Sequence, residues 1–112
     1  NNALLLLGSD APQVMNVPGY SIHHEMQSWV DAEIPIWDIL YSGTYAVAKF
    51  LGTSKFQGKI AKGYDANFIV LNLNPLENIS NTKTISGVNT VYKYYNRKEL
   101  DTRLNEIAKM NE

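Results

Sequence analysis

The chain has 112 residues, no cysteine and a net charge of -1, and 45% of its residues are hydrophobic. This length and composition are typical of one small globular domain. Its ten Lys and Arg residues are scattered and form no basic stripe, so no nucleic-acid partner is expected. The lack of cysteine excludes disulfides and thiolate metal sites, and the short apolar run at the start cannot span a membrane.

The first predicted element is a short apolar strand that ends in Gly8-Ser9-Asp10. The run Ala3 to Leu7 shows no polar alternation, which favours a strand buried on both faces, as in parallel sheets. An edge strand or a frayed apolar terminus is the alternative. A parallel neighbour needs a crossover connection, and no earlier residues of this sequence supply one. The neighbours are therefore expected from other sequence, from another chain or from an unusual pairing.

Two amphipathic helices are predicted after a proline-containing loop. Ser21 is expected to cap the first, in which Met26 and Trp29 share a face. Pro35 suits the first turn of the second helix, and Gly52 ends it. The residues predicted to form or flank the buried stripe of the second helix are Trp37, Leu40, Tyr41, Thr44, Ala48, Phe50 and Leu51.

The second half of the sequence predicts short strands followed by a helix. Residues 58–63 indicate a short extended stretch between turns, and strands are predicted at 68–71, 84–88 and 90–95. Asn96 with Glu99 three residues later resembles a capping box. The helix that follows has Leu100, Leu104, Ile107 and Ala108 at helical spacing. This order divides the chain into residues 1–55, 56–95 and 96–112.

The segment from Leu4 to Pro12, with the sequence LLLLGSDAP, resembles the eighth barrel strand and following loop of the amidohydrolase superfamily. Residues 17–23, 58–67 and 74–82 continue this resemblance, which extends to about Asp101. The branch that it resembles is that of the imidazolonepropionase-related enzymes, which includes metal-dependent Xaa-Pro dipeptidases. The order and spacing of these segments carry the resemblance, because a lone Gly-Ser-Asp is a weak signal.

The resemblance implies an α+β chain with the last strand and helices of a TIM-like barrel. The C-terminal part of an accessory β-sandwich and a terminal helix would follow, and the missing strand neighbours would be earlier barrel strands. Three departures are Ala46-Val47, where family members often have Asn-Pro, Asn67, where Asp is common, and Asn96-Arg97, where an Asn-Gly turn is usual. Because Arg97 accepts a positive φ less readily than glycine, that turn should be reshaped or replaced by the start of the C-terminal helix.

Asp10 is the candidate catalytic and metal-binding residue. In the family the matching aspartate ends the last barrel strand, at the face where barrel active sites lie. The resemblance implies that it ligates a divalent metal and accepts a proton from metal-bound water. A turn aspartate that only accepts backbone hydrogen bonds is the alternative.

The resemblance assigns the divalent metal, with zinc expected, to the full-length enzyme and not to this chain alone. A catalytic zinc usually needs about three protein ligands. The family's other ligands are a His-x-His pair, a lysine or similar bridge and two later histidines, all of which precede the matching region. His23 and His24 should not replace them, because adjacent helical residues diverge by about 100°. At least one of these rings is expected to be exposed.

The resemblance places His23 near the mouth of the active site, where it would contact substrate or support the metal ligands in a complete enzyme. It implies the C-terminal portion of a metal-dependent amidohydrolase that hydrolyses C–N bonds in amides, peptides or cyclic amides, and that is inactive in isolation. The alternative is a stand-alone oligomerisation or interaction module derived from such an enzyme. The expected partner is accordingly the N-terminal barrel or another copy of the chain in a homo-oligomer, since uncovered faces around Tyr92, Tyr94 and Tyr95 would favour association.

Overall fold

The computed structural model describes residues 4–110, and within this range the chain is α+β, as predicted. Its helices are α1 (Ser21–Asp31), α2 (Ile36–Ser42), α3 (Tyr45–Phe50) and α4 (Arg97–Lys109). Its strands are β1 (Phe68–Leu71), β2 (Ile85–Asn89) and β3 (Tyr94–Asn96), and a 3-10 helix (Ile79–Lys83) lies between β1 and β2. None of the helices in this range is long and apolar enough to cross a membrane.

The predicted first strand is not formed in the described residues. Residues 4–7 have irregular backbone, and Ala3 lies outside the described range. A strand needs a hydrogen-bonded neighbour, and the strands of the described sheet pair only with one another, in the order β1-β2-β3. Leu7 packs against the core, whereas Leu4 and Leu5 are exposed.

The second predicted helix is broken in two at Gly43 and Thr44. The Thr44 hydroxyl donates to the Leu40 carbonyl at 2.8 Å, and glycine is among the least favourable residues in a helix interior. A Cβ on Gly43 would lie only 2.9 Å from Leu7 Cδ2, so the glycine also allows the apolar N-terminal segment to approach closely. The buried residues of these two helices are Ile39 and Ser42 in α2 and Ala46 and Ala48 in α3.

The prediction that Trp37, Phe50 and Leu51 would be buried is wrong. Trp37 and Leu51 are each 64% exposed and Phe50 is 69% exposed. Trp29, by contrast, packs against the core, and its indole N–H donates to Glu25 at 2.7 Å. Helical spacing predicts which side chains share a face, but the rest of the fold decides whether that face is covered.

The beginning of α1 also differs from the prediction. Ser21 is the first residue of the helix, and the N-cap position is occupied by Tyr20, which makes no side-chain capping hydrogen bond. The Ser21 hydroxyl instead donates to the carbonyl of Val17 at 2.7 Å. This bond fixes the loop that precedes α1 to the first turn of the helix.

The strand prediction at 68–71 is confirmed, whereas the next two strands are shifted. β1 and β2 are antiparallel, with Phe68 opposite Asn89, and β2 pairs with β3 through Val88 and Tyr95. Residues 90–93 form a turn between them, in which the Thr90 N–H donates to the Lys93 carbonyl at 2.9 Å. Residues 58–63 form no strand: residues 60–61 have irregular backbone between a bend at 58–59 and a turn at 62–63.

The capping box at the start of α4 is confirmed. The Asn96 side chain accepts from the Glu99 N–H, and the Glu99 carboxylate accepts from the Asn96 N–H, each at 3.0 Å. α4 therefore starts at the position where the resemblance implies an Asn-Gly turn. At Asn67, where the resemblance implies Asp, the side-chain oxygen accepts from the Val91 N–H at 3.0 Å, as an aspartate could.

The core lies between α1, α2 and the 3-10 helix, where Met26, Ile39 and Ile79 are buried together. This core is small for the chain. The accessible surface is 8482 Å², whereas a folded monomer of this mass exposes about 6,200 Å². The radius of gyration is 15.3 Å, against about 13 Å for a compact domain of this length.

Candidate functional site

Asp10 lies in an exposed loop between the apolar N-terminal segment and α1. Its backbone has a φ of 52°, a left-handed conformation that aspartate adopts more readily than most residues. The Gln13 side-chain amide donates to Asp10 Oδ2. A carboxylate has about four acceptor positions, so this single bond leaves most of them available to a ligand.

The described residues do not by themselves form a metal site around Asp10. Between residues 4 and 110, no group of three or more His, Asp or Glu side chains is placed to hold a metal ion. One carboxylate is too few for a catalytic zinc, which usually has about three protein ligands.

His23 lies on α1 and is joined to the 3-10 helix by a hydrogen bond. Its Nδ1 is 3.0 Å from the Thr82 hydroxyl, a residue 59 positions further along the chain. The Thr82 hydroxyl proton is directed to the Ile79 carbonyl at 2.7 Å. A hydroxyl has one proton to donate, so His23 Nδ1 must be the donor to Thr82. Neutral His23 therefore carries its proton on Nδ1 and leaves Nε2 as an acceptor.

The surroundings of His23 favour its neutral form. Partial burial lowers the pKa of His23 below its ordinary value of 6.5, and the positive charges of Lys83 and of protonated His24 lower it further. His24 itself is exposed, as expected for at least one ring of the pair. The two adjacent histidines thus have different environments.

Because its pKa is lowered in the folded chain, His23 should make the stability of the chain depend on pH. Below about pH 6.5 the unfolded chain protonates this histidine more readily than the folded chain, so the free energy of unfolding should fall between about pH 7.5 and 5.5. In His23→Gln this fall should be smaller, because the group with the lowered pKa is gone. The measurement is urea unfolding at several pH values, with His24→Gln as the matched control. A slope that is unchanged in His23→Gln contradicts the assignment.

Two neighbouring cavities have His23 in their walls. One, of about 290 Å³, is mainly apolar and is lined by residues that include Ile22, Met26 and Leu40. The other, of about 440 Å³, is lined by residues that include Lys83 and Arg97. Sequence reasoning singled out His23 but missed Thr82, Lys83 and Arg97. The residues next to them in the sequence do not indicate that they lie near His23, because only the folded structure brings them together.

Comparison of the sequence with known families identifies the class of protein to which this fold belongs. A sequence model described as the Amidohydrolase family matches residues 1–95. The chain belongs to the amidohydrolase family. No match is found among curated proteins.

The chain is also similar to parts of solved structures. A Xaa-Pro dipeptidase with methionine bound in its active site is similar to the chain with 27% identity and a TM-score of 0.63, over 67% of this chain and 18% of that one. An amidohydrolase is similar in fold with 20% identity and a TM-score of 0.60, over 70% of this chain and 20% of that one. The chain thus spans about a fifth of the length of these structures.

Proposed function

We propose that this chain supplies the C-terminal portion of a metal-dependent amidohydrolase that hydrolyses C–N bonds. The observation that carries the proposal is the placement of Asp10. It follows an apolar segment that packs onto the helices through Leu7, it is exposed, and its carboxylate keeps free acceptor positions. These properties allow Asp10 to complete a site with groups from the remainder of a barrel, whose active sites lie at the ends of the strands.

The remainder of the barrel would also cover surface that is open in this chain. The chain exposes roughly 2,300 Å² more than a folded monomer of its mass, and specific interfaces bury about 800 Å² on each partner. Leu4 and Leu5, each 54% exposed, belong to that open surface. In a barrel these residues would form the last parallel strand, which has no partner among the described strands.

The substrate class proposed is a dipeptide with proline at its C-terminal position. Its support is the similarity to the Xaa-Pro dipeptidase at 27% identity. A cyclic amide, the substrate type implied by the resemblance to imidazolonepropionase-related enzymes, is the alternative within the same reaction class. In both cases the divalent metal, with zinc proposed, is held mainly by ligands outside the described residues, and Asp10 adds one.

The proposal is tested with the protein in which this chain is joined to the barrel. Hydrolysis of an Xaa-Pro dipeptide and of a cyclic amide is measured before and after treatment with a chelator. We expect one of the two to be hydrolysed, activity to be lost with the chelator and to return with a divalent metal. Activity that persists after the metal has been removed contradicts metal dependence, and failure to hydrolyse either compound contradicts the proposed reaction class.

A stand-alone oligomerisation module is the second candidate, and the surface of α4 favours it. No residue of α4 is buried in the described structure, and Leu104 is half exposed. Tyr92 in the preceding turn is 96% exposed. Sedimentation of the isolated chain at micromolar concentration tests this candidate, which predicts a dimer or larger species. A monomer rejects it and leaves the first proposal in place.

A further inference from the structure

The cavity of about 440 Å³ lies between the loop before α1, the 3-10 helix, β2 and the start of α4. Its polar wall consists of His23, Lys83 and Arg97, and no Asp or Glu is among its lining residues. Its apolar wall includes Tyr20, Ile85 and Leu104. The cavity thus combines two positive charges with an apolar surface, and its volume lies in the usual range for a small-molecule site.

We propose that this cavity binds a small organic carboxylate with an apolar body, held by Lys83 and Arg97 at the carboxylate and by Tyr20, Ile85 and Leu104 at the body. The proposal uses neither Asp10 nor a metal, because Asp10 is not among the residues that line the cavity.

The guanidinium of Arg97 is held in place by hydrogen bonds and keeps N–H groups that can donate to a ligand. Its Nε donates to Asp101 at 2.9 Å and its Nη1 to the Ile85 carbonyl at 3.3 Å, and its Nη2 also donates to Asp101. A guanidinium has five N–H donors, so one on Nη1 and one on Nη2 remain. These two N–H groups are available to donate to the oxygens of a carboxylate, and an arginine–carboxylate hydrogen bond is charge-assisted. Orientation by Asp101 and Ile85 reduces the entropy lost on binding.

Lys83 adds a second positive charge to the cavity wall. Arg97 forms an ion pair with Asp101, whereas neither of the two ion pairs among residues 4–110 involves Lys83. Lys83 is exposed at the end of the 3-10 helix, and its charge acts on His23. A carboxylate in the cavity would give Lys83 an opposite charge, and a charge-assisted hydrogen bond of this kind is stronger than a neutral one.

The ionisation of His23 should respond to a negative charge that binds in the cavity. The charged groups around it are Lys83 on the 3-10 helix, His24 on its own helix, and the Arg97–Asp101 pair on α4. A negative charge in the cavity favours the protonated imidazole, because opposite charges at short distance stabilise each other. Binding should therefore raise the pKa of His23 and shift its ring signals more than those of the exposed His24.

The test is an NMR titration of the purified chain with sodium benzoate, following the ring signals of both histidines. We expect saturable binding with shifts at His23, and a dissociation constant that rises about tenfold in Lys83→Gln, as loss of a charge-assisted hydrogen bond would cause. Lys62→Gln is the matched control, since it removes the same charge from an exposed lysine outside the cavity. This control should bind benzoate like the original chain.

Two further ligands distinguish an organic carboxylate from a simple anion. Acetate should bind more weakly than benzoate because it lacks the apolar body, and inorganic phosphate should bind more weakly than benzoate for the same reason. Phosphate that binds as tightly as benzoate overturns the assignment to an organic carboxylate. Absence of saturable benzoate binding, or equal loss in Lys83→Gln and Lys62→Gln, overturns the site itself. Circular dichroism of each variant confirms that the fold is retained.

Discussion

In the proposed enzyme, in which this chain is joined to a barrel, Asp10→Ala is expected to lower kcat/KM at least a hundredfold. Replacement of a group that only supports a metal ligand typically costs 10- to 100-fold, and a direct ligand should cost no less. Asp10 is exposed, and its side chain bonds only to Gln13 among the bonds described, so its loss should leave the fold intact. Steady-state hydrolysis and metal content are measured together.

The matched control for Asp10 is Asp31→Asn. Asp31 is also exposed, ends α1 and accepts from Gln27 at 3.0 Å, so it tests the loss of a surface carboxylate without touching the loop of Asp10. Asp31→Asn should retain nearly all activity. Near-normal turnover in Asp10→Ala would remove Asp10 from the reaction, and a turn role for this aspartate would then account for its position.

Ile39→Ala is expected to destabilise the isolated chain by about 2–5 kcal/mol, the usual cost of truncating a buried isoleucine to alanine. Ile39 is 0% exposed and lies at the centre of the core with Met26 and Ile79. Small domains have about 5–15 kcal/mol of stability in total, so a loss of this size would populate the unfolded state substantially. Urea unfolding followed by circular dichroism gives the free energies.

Ile60→Ala is the control for Ile39, because the same chemical change is made at a side chain that is 83% exposed. Its effect should stay within about 0.5 kcal/mol, as for most surface substitutions. If the two variants lose stability equally, the small core between α1, α2 and the 3-10 helix does not hold the chain together. If Ile39→Ala lowers the free energy of unfolding by less than about 1 kcal/mol, half of the usual minimum for such a truncation, the small core does not hold the chain together either.

The parts of the fold that follow from neighbouring residues could be predicted from the sequence. The β-branched and aromatic run Phe68–Leu71 forms β1, and the Asn96 and Glu99 pair forms the capping box of α4. Both signals act over a few residues, so the rest of the chain changes them little. The sequence also indicated the amidohydrolase family, because ordered motifs need no knowledge of the packing.

The parts that depend on distant residues could not be predicted. The exposure of Trp37 follows from which surfaces cover α2, and the close approach of Leu7 to Gly43 joins segments that are far apart in the sequence. The contact between His23 and Thr82 joins residues 59 positions apart, and nothing near either residue indicates it. The role of Asp10 and the division into residues 1–55, 56–95 and 96–112 stay predictions.

The central claim is that this chain carries one residue of a hydrolytic site, Asp10, and depends on a barrel for the others. Turnover by the purified 112-residue chain with added zinc or manganese, measured on an Xaa-Pro dipeptide, tests this claim most directly. The expected result is hydrolysis no faster than with the metal ion alone, and no difference between the original chain and Asp10→Ala. Metal-dependent hydrolysis that the chain accelerates and that Asp10→Ala abolishes would contradict it.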